Sequence, residues 1–274
     1  MVRQLLVFFV ALLAGGFSGA STQSLSDGLY RMTLDGAHVG YVIQRYEYDT
    51  EKGEFISTFF RRSAEPGGIL TESLKARANS RFEPLAYEYR WSLGSAQRHI
   101  QAQFTGRQMT AQFQERGPES EPPESQRQVS LEIPEKAFLS TFLSLLMHQQ
   151  GLSLEKLFNY QVVLEEEARI ASGQARVASR QEQKGHKGQT VFVVEHNLKV
   201  KGPEAASAPL STPYRSHITP EGLLLKTELP VQRLVLEKVE QKPMALGSLE
   251  LPIEQVQNLF GSLPQSLQGE SEEL

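Results

Sequence analysis

Histidine is the side chain best suited to bind a metal ion or to move a proton near neutral pH. The chain has six, and they are His38, His99, His148, His186, His196 and His217. None of them stands four residues from another, and none belongs to a His-Glu-x-x-His motif. The spacing therefore gives no support to a zinc site, and we interpret them as surface or turn histidines. A site assembled from distant strands would leave no such spacing.

Three other motifs suggest chemistry and are better explained by ordinary structure. The G-x-S-x-G motif of serine hydrolases is absent after residue 20. Residues 184–188 (KGHKG) resemble a phosphate loop, but no helix follows, so they predict a basic hairpin turn. Glu165, Glu166 and Glu167 would alternate between the faces of a strand and could not easily share one calcium ion. The sequence thus selects no catalytic residue, no metal site and no cofactor.

An aromatic stripe is the strongest candidate for binding. Large apolar residues occupy every second position from Leu85 through Tyr87 and Tyr89 to Trp91, as on a strand with one buried face. Two interpretations are open: the stripe packs under a helix as core, or it lines an apolar ligand cavity. The candidate ligand-lining residues are Leu85, Tyr87, Tyr89, Trp91, Phe104 and Phe142.

Similar alternation runs through most of the chain and predicts antiparallel strands in meander order, with a hairpin turn at Asp35-Gly36. Tyr46 and Tyr48 are out of phase with Val39, Tyr41 and Ile43, which predicts a β-bulge. The apolar richness of residues 137–149 predicts one buried helix, and residues 252–260 predict a short amphipathic helix. That second helix either docks on its own sheet or presents its apolar side to a partner.

The first twenty residues predict export. Arg3 precedes an unbroken apolar run (LLVFFVALL), and small residues lead to a cleavage site before Ser21. The run is short for a membrane span, although a failed cleavage would leave a membrane anchor. We therefore expect a periplasmic or secreted protein. The chain has no cysteine, and its formal net charge of −4 argues against a nucleic-acid partner.

These patterns together predict a mainly β protein. We expect a large curved antiparallel sheet, or open half-barrel, around the helix at 137–149. The expected division is a signal peptide at 1–20, a single β domain at 24–242 and a C-terminal extension at 243–274. The halves 24–133 and 160–242 would share one core. The extension would contain the helix at 252–260 and an acidic tail.

Short turn motifs carry a family resemblance. They are Gly28-Leu29-Tyr30, Gly40-Tyr41, Glu83-Pro84 before the aromatic strand, Thr219-Pro220-Glu221-Gly222-Leu223-Leu224, and Pro230. The chain resembles a family of uncharacterised exported bacterial β proteins of the DUF3108 type. One departure is Tyr214, which stands near the position of the tryptophan usual before the closing turn. The resemblance implies a half-barrel similar to those of lipoprotein carriers, and it implies no catalytic residues.

Three functions are consistent with the sequence. The first is a non-enzymatic envelope protein that binds a lipid or acyl chain in the concavity of the sheet. The second is a structural or protein-interaction module of the cell envelope, which would use sheet edges or the C-terminal segment. The third, least favoured, is a hydrolase built from scattered residues, which requires a cleft with convergent titratable groups.

Overall fold

The computed structural model describes residues 22–117, 125–182, 190–200, 210–240 and 246–267. The predicted signal peptide, the basic turn at 184–188 and the end of the acidic tail lie outside the described residues. The described part of the chain forms one large sheet with two short helices. This confirms the predicted fold class.

The first half of the sheet is a meander. Its strands are β1 (Thr22–Leu34), β2 (Ala37–Asp49), β3 (Glu54–Glu65), β4 (Gly68–Asn79), β5 (Pro84–Leu93), β6 (Ala96–Thr105), β7 (Gln108–Arg116) and β8 (Ser125–Glu132). Tight turns join these neighbours. Asp35 (φ 51°) and Gly36 (φ 80°) both have positive φ, as a two-residue hairpin turn of the predicted kind requires.

The second half is a second meander, and it meets the first in the middle of the sheet. Its strands are β9 (Ala137–Leu139), β10 (Leu157–Leu164), β11 (Arg169–Glu182), β12 (Thr190–Val200), β13 (Leu210–Ile218), β14 (Leu224–Leu229) and β15 (Leu234–Val239). Strand β15 pairs antiparallel with β1, so β8 and β9 become the two edges. The β9–β10 pair is parallel, and the other pairs are antiparallel.

The sheet must curl strongly because its two edges are close in the chain. Fifteen flat strands would span roughly 65 Å at the usual strand spacing. The edge strands are joined by residues 133–136, which reach at most about 19 Å. The edges are therefore near one another. Strand β9 lies inside the resulting curve, with contacts to β4 and β5.

The predicted helix at 137–149 is shorter than expected, so its start was placed wrongly. Residues 137–139 form β9, a single 3₁₀ turn covers Ser140–Phe142, and helix α1 is only Leu143–Gln149. The apolar run is continuous because β9 and the 3₁₀ turn are buried inside the curve, which periodicity cannot distinguish from a buried helix. Within α1 only Met147 is fully buried.

One main core fills the concave side of the sheet. It contains buried residues from both halves of the chain, including Tyr89, Phe142 and Val194, so the halves share it. A second core lies on the opposite face. There Val256 and Phe260 of helix α2 (Ile253–Phe260) pack against Leu29, Tyr41 and other residues of β1–β3 and β15. The predicted C-terminal helix thus docks on its own sheet.

The second core also explains the phase change in β2. Tyr41 and Ile43 lie in the second core, whereas Tyr46 lies in the main core on the other face. The β2–β3 pairing has no register shift. The predicted bulge at Tyr46 is therefore wrong: β2 is buried on both faces, and both phases of its alternation are apolar.

A small backbone effect is predicted at the end of α2. Gly261 ends the helix with φ 75°, and no atom within 4 Å would contact an added Cβ. Gly261→Ala should lower the free energy of unfolding by about 1 kcal/mol, because the left-handed conformation is strained for alanine. Urea denaturation measures the change. Gly261→Asn should cost less, since asparagine adopts this conformation more easily, and equal losses would contradict the explanation.

Candidate functional site

Three of the predicted ligand-lining residues are buried in the main core. Tyr87 and Tyr89 are 3% and 7% exposed, and Phe142 is fully buried. The Tyr89 hydroxyl donates to Glu72 Oε1 at 2.7 Å. The Phe142 ring lies 6.3 Å from that of Tyr46 and 5.9 Å from that of Phe82, measured between centroids. These side chains occupy the position under β9 that the core interpretation describes.

The other three candidates lie at the margin of that core. Leu85, Trp91 and Phe104 are partly buried, and Trp91 and Phe104 pack against the main core. None of the six lines the largest cleft of the described residues. Their contact with a ligand remains a prediction, and the structure places the most favourable apolar space elsewhere.

The largest cleft, here called the helix cleft, lies where α1 and β9 face β10–β12. Its volume is about 670 Å³. Its apolar lining comes mainly from the 137–147 segment and β10, and the residues are Phe82, Phe138, Leu143, Leu146, Met147 and Phe158. Lys136 and Lys199 also line it, together with the ion pair Arg81–Glu83. A mainly apolar cleft of this size with few charged groups is typical of a small-molecule site.

A second cleft adjoins the first. This strand cleft, of about 580 Å³, is lined by β10–β13 and by Pro230. The two clefts share the lining residues Phe158, Asn159, Gln174 and Asn197. Together they form an elongated space along the open end of the sheet. An extended ligand could therefore occupy both.

Three ring side chains stand in the walls of these clefts. Tyr160 lines the helix cleft, and His196 and Tyr214 line the strand cleft. The Tyr160 hydroxyl lies 3.4 Å from His196 Nδ1, and the His196 and Tyr214 rings are stacked at 4.2 Å between centroids. Burial lowers the pKa of His196 to about 3, so its ring is neutral at pH 7. His196 Nε2 has no hydrogen-bond partner among the described residues.

The position of Tyr160 depends on a cross-strand glycine. Tyr160 of β10 is opposite Gly173 of β11. A Cβ at residue 173 would come within 2.1 Å of the Tyr160 ring, so the ring lies directly over the glycine backbone. Glycine is therefore needed for close ring-to-backbone packing. The pair sets the ring against the floor of the helix cleft.

A buried carboxyl group holds the segment before α1. Glu165 is 2% exposed, accepts from Ser140 Oγ at 2.5 Å and accepts from the Thr141 amide at 3.2 Å. The Thr141 carbonyl accepts from the Tyr46 hydroxyl at 2.6 Å. Burial, reinforced by the nearby Glu166 carboxylate, raises the pKa of Glu165 to about 7. This network fixes the 3₁₀ turn against β2 and β10.

Two searches of the described residues give limits on other chemistry. They contain no group of three or more histidine or acidic side chains placed to hold a metal ion. No helix among them has the length and apolar character needed to cross a bilayer.

Comparison with known proteins defines a β-barrel-like class of fold. No family model matches the chain, and no curated protein matches it. It is similar to the crystal structure of a β-barrel-like protein of domain of unknown function DUF1849 from Brucella abortus. The TM-score is 0.53 at 10% identity, covering 78% of this chain and 94% of that one. The likeness supports the architecture expected from the turn motifs, but not the DUF3108 assignment.

Sequence reasoning missed the residues that line the two clefts. Leu143 and Leu146 were assigned to a buried helix, and Phe158 and Tyr160 to an ordinary strand. The excess of leucines on α1 was a usable signal, because so wide an apolar surface on a short helix is not all covered. Gly173 within an alternating strand was a second signal, since such glycines often mark close approach of another group.

Proposed function

We propose that this is an exported, non-enzymatic protein that binds an apolar ligand, a lipid or acyl chain, in the helix cleft and the adjoining strand cleft. The observation that supports the proposal is the pair of connected, mainly apolar clefts at the open end of a strongly curved sheet. The site differs from the aromatic stripe suggested by the sequence. The predicted signal peptide supports a periplasmic or secreted location.

The chemistry of the walls favours a long apolar ligand with a polar group at one end. Phe138, Leu146 and Phe158 offer apolar contact along the helix cleft. Lys136 and Lys199 lie among its lining residues and suit a carboxylate or phosphate headgroup. Burying an acyl chain against such walls contributes about 0.8 kcal/mol per CH₂ group. A long chain is therefore needed for tight binding.

A charge placed in the apolar wall should abolish this binding. Leu146 lines the helix cleft and is partly buried. Leu146→Arg is expected to weaken binding of the fluorescent probe N-phenyl-1-naphthylamine at least tenfold, because the guanidinium occupies the cleft and resists desolvation. Palmitate should displace the probe from the unaltered protein. Native mass spectrometry of protein from its own envelope should show a co-purifying lipid.

Two variants act as controls for the position of the site. Leu154→Arg places the same charge on a leucine that is 56% exposed and lines neither cleft, and it should leave probe affinity unchanged. Trp91→Ala should also leave it unchanged. Loss of binding in Trp91→Ala, with none in Leu146→Arg, would reject the clefts and favour the aromatic stripe.

A further inference from the structure

The outer face of strands β5–β8 carries rows of glutamines in cross-strand register. Gln101 of β6 is opposite Gln112 of β7, which is opposite Gln128 of β8. The next row along the strands is His99, Gln114 and Gln126, and the row on the other side is Gln103, Thr110 and Ser130. We call this surface the amide face. It is directed away from the main core, because these positions alternate with buried Ile100, Ala102 and Ala111.

Two grooves lie on this face and make it a shaped surface. One, of about 450 Å³, is lined by Gln101, Gln103 and Gln112 among others. The other, of about 340 Å³, is lined by Gln97, His99 and Gln114 and is bordered by Gln255 of α2. The Gln97 and Gln103 positions are six residues apart on β6, which corresponds to about 20 Å along the strand. The grooves thus follow one another along a trough of that length.

The trough offers uncommitted neutral hydrogen-bonding groups. Gln101, Gln112 and Gln128 are exposed, and in the described part of the chain none of these side chains hydrogen-bonds to a protein group. Each amide has two donor hydrogens and an acceptor oxygen. Sugar hydroxyl groups likewise donate and accept. A row of fixed amides therefore matches a chain of hydroxyls better than it matches an apolar ligand.

The charges in the trough are mostly balanced, which disfavours a nucleic acid. Arg90 pairs with Glu88, and Arg98 pairs with Glu115. Within the described ranges, Lys75 in one groove and Arg116 in the other form no ion pair within 4 Å. Nucleic-acid affinity depends on neutralising many phosphates. Two cations about a trough of amides suit a polymer of hydroxyls with occasional carboxylates.

We propose that the amide face binds a linear glycan that carries carboxylate groups. This site is separate from the clefts of the proposed function and does not depend on them. The amides of β6 and β7 bind hydroxyls of successive sugars, and Lys75 and Arg116 bind carboxylates. The glutamine of α2 closes one side of the trough.

The test is affinity electrophoresis of the full chain in native gels containing alginate, a linear polymer of uronic acids. The protein should be retarded by alginate. The double variant Gln101→Ala, Gln112→Ala should lose about tenfold in affinity, since two hydrogen-bonding side chains are removed. The matched control is Gln23→Ala, Gln181→Ala, which removes two exposed amides outside the face and should bind like the unaltered protein.

Three outcomes would overturn the proposal. They are no retardation by alginate, equal retardation of the Gln101/Gln112 variant and the unaltered protein, and equal retardation by single-stranded poly(dT), which would indicate general attraction to polyanions. Circular dichroism of both double variants checks that the fold is retained. Probe binding in the clefts should be the same in all of them, so failure here is distinguishable from failure of the proposed function.

Discussion

Replacing Phe142 by alanine is expected to lower the free energy of unfolding by about 3–5 kcal/mol. Phe142 has no exposed surface and packs between the rings of Tyr46 and Phe82. Its removal leaves a cavity where the 3₁₀ turn meets the sheet. Urea denaturation should show a lower midpoint with an unchanged slope, because the surface exposed on unfolding stays nearly the same.

The same experiment separates core packing from a ligand cavity. Phe104→Ala is the matched variant, because Phe104 is only partly buried at the margin of the main core. Its loss should be clearly smaller than that of Phe142→Ala. A cost below about 1 kcal/mol for Phe142→Ala would mean that the ring has few packing partners. The space around it would then be a cavity, as the ligand-lining interpretation of the stripe requires.

Glu165 is expected to make the protein less stable as the pH rises from about 4.5 to 7. Its pKa is raised from the ordinary 4.5 to about 7 by burial, so the folded protein holds a proton that the unfolded chain has released. Stability falls wherever the folded state binds more protons. The size of the effect is about 3 kcal/mol across this range. Glu165→Gln removes the titrating group and keeps an acceptor for the Thr141 amide.

His196 has the opposite effect at lower pH. Burial lowers its pKa from 6.5 to about 3, so the unfolded chain binds a proton first as the solution is acidified. Stability is therefore lost as the pH falls below 6.5. Between pH 4.5 and 6.5 the two groups oppose one another. The unaltered protein should consequently show a flat profile there, with a decline on the acid side.

The measurement is urea denaturation of the unaltered protein and of Glu165→Gln at several pH values. The stability of the variant relative to the unaltered protein should rise by about 3 kcal/mol between pH 4.5 and 7.5. His196→Gln serves as the control, since it should change the profile below pH 6.5 and leave the slope between 6.5 and 7.5 intact. A pH-independent difference for Glu165→Gln would contradict a buried, protonated Glu165.

The strands were predictable because each half-buried strand imposes its own alternation. Ile100, Ala102 and Phe104 on β6 illustrate this, since their neighbours are polar and face outward. The alternation fails where both faces are covered, as on β2. It also fails inside the curve, where the run that begins at Ala137 is buried as strand, 3₁₀ turn and helix in succession. Local period identifies a buried face and not the element that carries it.

The binding site was less predictable than the fold. Tyr87 and Tyr89 have the composition of a ligand-lining stripe, but β9 and the 3₁₀ turn fill the space above them. The helix cleft depends on where α1 stops and on how Tyr160 packs over Gly173. Both are long-range features, set by how far the sheet curls. A single sequence records which residues are apolar, and the space left between them depends on tertiary packing.

The pairing of β1 with β15 has a consequence for biogenesis. The first strand to emerge from the ribosome has one permanent neighbour, β2, and its other edge must wait for one of the last strands to be made. Such distant pairings slow folding, and unpaired strand edges invite aggregation. The nascent polypeptide should therefore depend on a holding chaperone until translation is almost complete.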